Sequence, residues 1–376
     1  MISRRRRIVY GIGLTAVSFI LALGFLELYL RVILFHNFKL GDGLLKHEGL
    51  YADYFSDDDY WKLRYLFGDV YSPPEHPHPL LGWVGGFDSV TYRHNDENGV
   101  GKRTPVLLYG DSFAKCSTPV CFQHILNGDR EFSGNYYLLN YGVDGYGIDQ
   151  IELLYEKSNK LFEDPVVIFS FLTDDIDRGA LSFRIGQKPY YTVEDGILVL
   201  NGVPIDPDLG HYLKEHPVSI KSYLWAYLIH NKTIPERVRR YLRGDKQKVE
   251  MKKKVSRAII QKTIDDLRER HVRFFVIVFQ PDWPDAIEGP DSWRDTLARE
   301  ILDSNHVPYI WTKGLILEDM KKTGKNKSEY FLKGEGHYSD YTNDLIAREI
   351  KKMVLGHKYE SPEMNSNAPS ERQPRD

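Results

Sequence analysis

The sequence predicts an α/β domain, built on a parallel sheet and preceded by one membrane-spanning helix. Two patterns in the 376-residue chain lead to this fold class. Short, continuously apolar runs alternate with amphipathic stretches, which is typical of parallel strands buried on both faces and joined by helices. Near the N-terminus, a block of arginines precedes a long run without charge. About 20 apolar residues span the core of a bilayer, so this second pattern predicts a transmembrane helix.

The N-terminal apolar run is predicted to be an uncleaved signal anchor. The basic tail covers residues 1–7 and the span covers residues 8–30, of which 8–26 carry no charge. A cleaved signal peptide is the alternative, but the run ends in Phe-Leu-Glu-Leu-Tyr-Leu-Arg, without the small residues of a cleavage site. Because arginines beside a span remain on the cytoplasmic side, the residues after about 40 are expected on the opposite side of the membrane.

Five apolar runs are predicted to form the sheet, with amphipathic stretches as helices beside it. The predicted strands are 105–109, 135–141, 165–172, 272–279 and 307–311, and the predicted helices are 148–161, 252–270, 292–304 and 341–354. The domain extends over 78–356, after a linker over 31–77 whose acidic run at 57–59 is expected to be solvated. Residues 357–376 are polar and predicted to be disordered.

Residues 177–250 interrupt this alternation and are predicted to be an insertion. Residues 188–203 alternate around Glu194-Asp195-Gly196, which indicates a hairpin, and residues 219–229 favour a helix. In open α/β sheets, an insertion after the carboxyl end of a strand is the usual place for a lid or a substrate wall. We therefore expect this segment to cover part of a site.

Charge and cysteine content narrow the classes of function. The net charge of −3 gives no field that would favour nucleic acid. The two cysteines, Cys116 and Cys121, lie in Cys-Ser-Thr-Pro-Val-Cys, which fits neither a redox Cys-x-x-Cys motif nor a zinc site. In an oxidising compartment they would form a disulfide, and two unpaired thiols are the alternative. No metal and no cofactor are predicted.

The tripeptide Gly110-Asp111-Ser112 follows the first predicted strand and begins a helix. By itself such a tripeptide is most often a helix cap. Its position after the first buried strand, however, places Ser112 at a helix N-terminus, where backbone N–H groups stabilise negative charge on a substrate oxygen. Ser112 is therefore a candidate nucleophile.

A serine nucleophile needs a base, and His337 precedes the last predicted helix. Glu335, two residues earlier, is the candidate that orients the imidazole, and Asp340 is the reserve. The Gly-rich segment 140–147 follows the second strand and leaves backbone N–H groups free for an oxyanion, with a tight turn that merely needs glycine as the alternative. The third strand is followed by Asp174 and its neighbour Asp175.

These four segments, in this order, resemble the SGNH (GDSL-type) family of esterases and acyltransferases, over about residues 78–355. The resemblance implies a three-layer αβα, flavodoxin-like fold in which Ser112 is the nucleophile, His337 the base and Glu335 the acid. It also implies an oxyanion hole formed by Ser112, Gly142 and a family asparagine, whose place Asp174 takes in this sequence. The side chains expected to contact substrate are Asp111, Tyr146 and Asp175.

The anchor and the insertion look like the bacterial envelope branch of this family, which edits polysaccharides. The resemblance implies a single-pass inner-membrane protein with a periplasmic domain. Its activity would be hydrolysis or transfer of an acyl group, in the first place acetyl, on an envelope glycan through a Ser112 acyl-enzyme. An ionised carboxylate at Asp174 would repel an oxyanion, whereas a protonated one would donate to it. In the alternative, other donors complete the hole and Asp174 orients a loop or the insertion, for example through Arg178. The alternative function is a catalytically weak module of the same fold that binds a glycan or a partner in an envelope assembly.

Overall fold

The computed structural model of the chain describes residues 4–36, 43–55, 57–68, 77–231, 234–283 and 285–356. The predicted tail over 357–376, and parts of the predicted basic tail and linker, lie outside these residues. The helices and strands, in chain order, are α1 (Arg4–Phe35), α2 (Asp58–Leu66), β1 (Thr104–Gly110), α3 (Ser112–Lys115), α4 (Phe122–Gly128), α5 (Arg130–Ser133), β2 (Tyr136–Gly142), α6 (Ile148–Ser158), β3 (Val166–Leu172), α7 (Asp175–Arg178), β4 (Tyr190–Glu194), β5 (Ile197–Asn201), α8 (Leu209–Glu215), α9 (Tyr223–His230), α10 (Glu236–Leu242), α11 (Asp245–Glu269), β6 (Arg273–Phe279), α12 (Trp293–Ser304), β7 (Tyr309–Trp311), α13 (Thr312–Thr323) and α14 (Asp340–Gly356).

A five-stranded parallel sheet in the order β2-β1-β3-β6-β7 forms the centre of the domain. This confirms the predicted α/β class, and the order is the flavodoxin-like one once the hairpin β4–β5 is set aside. The central strand β1 pairs with β2 on one side and with β3 on the other. The winding direction therefore reverses between β1 and β3, and open sheets of this kind bind ligands in the crevice at that point.

Both faces of the sheet are covered, because successive side chains of a strand point to opposite faces. Leu107 and Tyr109 of β1 pack into a cluster with residues of α6, α11 and α12. Val106 and Leu108 pack into a second cluster with residues of α4, α13 and α14. All four β1 side chains are fully buried, as the continuous apolar run predicted. The two clusters make the three-layer architecture.

The insertion contains the predicted hairpin and three short helices. Strands β4 and β5 pair antiparallel, with Glu194 opposite Ile197. The two residues between them, Asp195 and Gly196, have φ of 49° and 85°. Positive φ at both central positions is the condition for a type I′ hairpin turn, which explains the Asp-Gly pair. Helices α8, α9 and α10 follow the hairpin and precede the long helix α11.

The acidic run at 57–59 is not a solvated linker, which corrects that expectation. Asp58 and Asp59 begin helix α2, and their carboxylates accept hydrogen bonds from the insertion. Asp58 Oδ1 accepts from the backbone N–H of Ser182 at 3.0 Å, and Asp59 Oδ1 accepts from that of Ser219 at 2.9 Å. The two carboxylates thus accept hydrogen bonds from backbone N–H groups more than a hundred residues away. A local pattern of charges in the sequence does not reveal such distant contacts.

Among the described residues, one helix is long and apolar enough to cross a membrane, over Ile8–Phe35 of α1. Its side chains are largely exposed as far as Tyr29. From Leu30 onward the helix becomes part of the protein body, where Leu30 and Leu34 pack with Leu63 of α2 and Tyr223 of α9. The assignment of a membrane-spanning helix rests on the length and composition of α1, and it agrees with the predicted anchor.

Candidate active site

Ser112 and His337 meet at the carboxyl end of the sheet, 225 residues apart in the chain, with 2.9 Å between Ser112 Oγ and His337 Nε2. Strand β1 ends at Gly110, and Ser112 is the first residue of α3. A Cβ atom at Gly110 would lie 2.3 Å from Ser170 Oγ and 2.5 Å from the Cβ of Ala114. Glycine is therefore required for α3 to begin this close to β3. The contact is the geometry that a serine nucleophile and its general base need.

The loop that carries His337 is fastened to the domain on both sides of the ring. Leu332 donates its N–H to the carbonyl of His337 at 2.7 Å, and the hydroxyl of Tyr338 accepts the N–H of Gln280 at 2.9 Å, just after β6. The imidazole lies against the ring of Phe113, with 4.9 Å between centroids. These contacts fix the ring beside Ser112.

The structure does not place Glu335 on the imidazole. His337 Nδ1 is buried and has no hydrogen-bond partner among the described residues. Glu335 is exposed, and its backbone N–H donates to the carbonyl of Leu332 at 3.3 Å. Asp340, the reserve acid, is exposed at the start of α14. The contacts therefore form a Ser112–His337 pair, and the orienting role predicted for Glu335 is not met in this arrangement.

Asp111 and Asp175 are buried structural groups, which corrects the expectation that they contact substrate. Both carboxylates are fully buried. Arg178 Nη1 donates to Asp111 Oδ2 at 3.0 Å and to Asp175 Oδ1 at 2.5 Å. Asp111 also accepts from the N–H of Phe113, and Asp175 from that of Leu172. These bonds leave the two side chains behind the site, where they tie the ends of β1 and β3 together through one guanidinium.

Tyr146 is also buried, for a similar reason. Its side chain has no exposed surface, and its hydroxyl donates to the carbonyl of Trp83 at 2.5 Å. An aromatic residue with one polar atom is well suited to this position, because its ring fills the core while the hydroxyl satisfies a buried carbonyl. Tyr146 joins the segment before β1 to the Gly-rich turn after β2, and it does not line the cleft above Ser112.

The predicted oxyanion donor at Gly142 is already engaged. Its N–H donates to Asn140 Oδ1 at 2.9 Å. The glycine is required for another reason, because a Cβ atom there would lie 2.4 Å from the backbone N of Lys115. Two later residues of the same turn, Asp144 and Gly145, line the cleft together with Ser112. The Gly-rich segment thus contributes to the site, but at a different residue from the one predicted.

Asp174 lies in the cleft as a buried carboxylate held by an indole. Trp283 Nε1 donates to Asp174 Oδ2 at 2.8 Å. Burial raises the pKa of Asp174 above its usual value, against the opposing effect of Arg178. A raised pKa favours the protonated form, in which the carboxyl group is a hydrogen-bond donor. Asp174 therefore takes up a proton at a higher pH than an exposed aspartate does.

The cleft above Ser112 has a volume of about 670 Å³, and one part of its wall is an aromatic cluster. Tyr54 and Trp61 come from the segment between α1 and β1, and Trp283 comes from the loop after β6. Their rings are in contact, with 5.0 Å between the centroids of Tyr54 and Trp61 and 6.3 Å between those of Tyr54 and Trp283. None of the three was predicted, because no motif marks an aromatic residue that reaches a site from a distant segment.

Arg184 of the insertion also lines the cleft and was not predicted. Its guanidinium lies over the ring of Trp61 at 5.0 Å and donates to the carbonyl of Gly145. Burial and the nearby charge of Arg178 lower the pKa of Arg184 to about 10. The insertion therefore reaches the cleft, as its position after β3 predicted. Among the described residues, no group of His, Cys, Asp or Glu is arranged as a metal site.

Cys116 and Cys121 form a disulfide directly after α3. The bridge closes a loop with a sequence separation of 5, and this loop carries Ser117 on the cleft wall. Asn343 of α14 donates to the carbonyl of Val120 in the same loop at 2.9 Å. The helix that begins at Ser112 is thus held at its far end by a covalent link and by α14.

Replacing both cysteines by serine should lower the free energy of unfolding by about 2 kcal/mol. That is the denatured-state entropy which closing so short a loop removes. The measurement is urea denaturation of the double variant and of wild type, with wild type in reductant as the matched control. Reduced wild type should unfold at the midpoint of the double variant. Equal midpoints for oxidised and reduced wild type would contradict the prediction.

No protein-family model matches the chain, and no curated protein matches it. Solved structures similar to it include a member of the lipolytic G-D-S-L family from Veillonella parvula, with 13% identity over 67% of this chain and 97% of that one and a TM-score of 0.36. The acetyl xylan esterase AlAXEase is 15% identical over 67% of this chain and 100% of its own, with a TM-score of 0.38. Axe2, an acetylxylan esterase from Geobacillus stearothermophilus, is 12% identical over 68% and 96%, with a TM-score of 0.37. These similarities do not by themselves assign an activity to the chain.

Proposed function

We propose that this protein is a membrane-anchored serine esterase of the SGNH type that removes acyl groups, in the first place acetyl, from a glycan. The observation that carries the proposal is the 2.9 Å contact between Ser112 Oγ and His337 Nε2 in the crevice where the sheet reverses its winding. A serine and a histidine in contact at the base of a cleft are the minimal pair for nucleophilic acyl transfer.

In the proposed reaction, Ser112 Oγ attacks the carbonyl carbon of the acyl group while His337 Nε2 takes the hydroxyl proton. The tetrahedral oxyanion forms beside the N–H of Ser112, which has no partner within the helix because it lies in the first turn of α3. His337 then gives the proton to the leaving sugar oxygen, and the ester bond to the glycan breaks. Water, activated by the same histidine, releases the acyl group from Ser112.

The aromatic wall supports a glycan as the substrate. Tyr54, Trp61 and Trp283 line the cleft, and Trp283 is 45% exposed although its indole N–H is held by Asp174. Trp61 is only 4% exposed and packs on Tyr54, so the ring open to a ligand is that of Trp283. An exposed aromatic ring with a fixed orientation suits the apolar face of a sugar ring. The proposed location is the inner membrane, with α1 as the anchor and the domain on the periplasmic side.

A second cavity supports acyl transfer to another hydroxyl as the second candidate function. It has a volume of about 790 Å³ and adjoins the first, and the two cavities share Tyr54, Asp174, Pro281 and Trp283 as lining residues. A hydrolase needs room only for water at the acyl-enzyme, whereas a transferase must also bind an acceptor. The two activities differ in which hydroxyl compound reaches the acyl-Ser112 intermediate.

Acetate release by the full-length protein tests the proposed function. The substrates are a short-chain activated ester and an acetylated oligosaccharide, each with and without an unacetylated oligosaccharide as acceptor. We expect wild type to hydrolyse both substrates and Ser112→Ala to hydrolyse neither. Acetylation of the acceptor would establish transfer. Glycan binding that is equal in wild type and Ser112→Ala, without any turnover, would instead favour the binding module.

Replacing Asp174 by asparagine should raise hydrolysis of the activated ester at neutral pH by about tenfold or more. The amide keeps an oxygen for Trp283 and puts an N–H donor in place of a carboxylate oxygen, and one oxyanion donor contributes roughly 10²–10³ in kcat. Because burial raises the pKa of Asp174, wild type gains a protonated donor as the pH falls. The two rates should therefore converge at low pH.

The measurement is kcat/KM against pH for wild type and Asp174→Asn, with Asp174→Ala as the matched control. The alanine variant removes the charge without adding a donor, so it should stay below the asparagine variant at every pH. Identical profiles for wild type and Asp174→Asn would show that Asp174 does not face the developing oxyanion.

A further inference from the structure

Helix α9 is apolar on every face, which is unusual for a helix at the surface of a domain. Its sequence is Tyr-Leu-Trp-Ala-Tyr-Leu-Ile-His. Tyr223 and Ala226 are buried against the end of α1. Trp225 and Leu228 lie on another face and are 53% and 39% exposed. A helix of this composition is normally buried in protein or in a membrane. One face of α9 is buried in protein, and the face with Trp225 and Leu228 is exposed.

Helix α9 begins at the point where α1 leaves the protein body. Glu27 of α1 accepts hydrogen bonds from the hydroxyl of Ser222 at 2.9 Å and from the N–H groups of Tyr223 at 3.1 Å and Leu224 at 2.9 Å. Leu30 is the first fully packed residue of α1, so Glu27 lies about 4.5 Å nearer the proposed membrane along the helix axis, at 1.5 Å per residue. The N-terminal end of α9 is thus level with the exposed, apolar part of α1.

Helix α10 has the composition of an interfacial helix. None of its residues is buried. Val238, Tyr241 and Leu242 share one face and are 45%, 84% and 40% exposed. Arg237 and Arg240 are exposed on the same short helix. Its position beside α9 is fixed by Arg239, which donates to the carbonyl of His230 at 3.2 Å. An apolar face flanked by arginines is typical of helices that lie in the headgroup region of a bilayer.

We propose that α9 and α10 form a membrane-contacting platform beside the anchor. In this platform Trp225, Leu228, Val238, Tyr241 and Leu242 enter the boundary between headgroups and acyl chains. The occupant of the face is an anionic phospholipid surface, because α9 packs against the end of α1 and α10 carries three arginines against one acidic residue, Glu236. Trp and Tyr prefer this depth of a bilayer. The inference rests on the proposal that α1 crosses a membrane, and it is independent of the proposed esterase activity.

The platform is joined to the active site by helix α2. Leu63 of α2 packs in the cluster that contains Leu30 and Tyr223, whereas Trp61 lines the cleft above Ser112. Asp59 at the start of α2 holds the loop that leads into α9 through the N–H of Ser219. A membrane contact at α9 would therefore hold the aromatic wall of the cleft at a fixed height above the bilayer.

Quenching of tryptophan emission in vesicles tests the platform. The full-length protein is reconstituted in phosphatidylcholine–phosphatidylglycerol vesicles, with and without bromine on the acyl chains, because bromine quenches only nearby indoles. We expect bromine to reduce the emission of wild type, and most of this reduction to disappear in Trp225→Phe. The matched control is Trp283→Phe, which removes another exposed indole, in the cleft, and should leave the reduction unchanged.

The outcomes separate the platform from the anchor and from the activity. Resistance to extraction by alkaline carbonate reports on α1, and hydrolysis of a soluble ester reports on Ser112. A chain that resists extraction but shows the same bromine effect in wild type and Trp225→Phe, or no effect in wild type, overturns the platform while the anchor stands. Such a result would indicate that the exposed face of α9 and α10 binds a second protein instead of lipid. A chain that is extracted overturns both the anchor and the platform.

Discussion

A His337→Ala variant should lose about 10⁴-fold or more in kcat for a short-chain ester, with little change in KM. His337 Nε2 is the atom that contacts Ser112 Oγ, at 2.9 Å. Without it the hydroxyl proton has no acceptor during attack, and the leaving oxygen has no donor. Substrate binding depends mainly on the cleft walls, so the loss should fall on the chemical step. Steady-state kinetics of the purified full-length variant provide the measurement.

Glu335→Gln is the control that separates this arrangement from a Ser-His-Glu triad. Because Glu335 is exposed and His337 Nδ1 has no partner among the described residues, we expect the glutamine variant to lose less than about tenfold. A loss as large as that of His337→Ala would show that Glu335 moves onto Nδ1 when substrate binds. The orienting role that the sequence suggested would then be restored.

Arg178→Met should lower the free energy of unfolding by about 3–5 kcal/mol, the usual result of removing one partner from a buried ion pair. Arg178 is the only cation that the structure bonds to both Asp111 and Asp175 among the described residues, and both carboxylates are fully buried. Its loss would leave two acidic groups side by side at the ends of β1 and β3. Chemical denaturation at pH 8 gives the value. Arg348→Met, which breaks the exposed pair with Asp344, should change stability by less than about 0.5 kcal/mol.

The effect of Arg178→Met should also depend on pH in a definite direction. Burial, with the neighbouring charge of Asp111, already raises the pKa of Asp175 well above its usual value in wild type. A group whose pKa is raised on folding takes up a proton more readily in the folded state, so its unfavourable contribution grows as the pH rises. The loss of stability should therefore be larger at pH 8 than at pH 5. An equal loss at both pH values would show that the carboxylates are not the cause.

The sheet could be predicted closely because its strands are continuous apolar runs. The predicted strands 165–172 and 272–279 agree with Val166–Leu172 and Arg273–Phe279 within a residue or so. Helices were harder where they are short or polar. Helix α4 has only Phe122 and Leu126 as buried residues, too few for a periodic pattern. Helix α11 begins at Asp245, about two turns before the predicted start, because its first turns are charged and exposed.

Site residues could be predicted where a sequence motif marks them. They could not be predicted where contacts with distant residues determine their role. Gly110-Asp111-Ser112 and His337 were recognisable from residue type and position in the chain, and the structure brings Ser112 and His337 into contact. Asp111 is held away from the cleft by its ion pair with Arg178, which lies 67 residues away in the chain. In the same way, the N–H of Gly142 is taken by a side chain two residues earlier, and the aromatic wall comes from segments without a motif. Tertiary packing decides which polar groups remain free to bind a ligand in the cleft, and local sequence does not show those contacts.

Labelling with a serine-directed phosphonate tests whether Ser112 is a nucleophile activated by His337. The full-length protein is treated with the reagent, the number of adducts is read from the intact mass, and the modified residue is found by peptide mapping. We predict one adduct on wild type, at Ser112, none on Ser112→Ala, and a much slower reaction with His337→Ala. An adduct on a different residue, or a wild-type protein as inert as Ser112→Ala, would show that Ser112 is not the nucleophile.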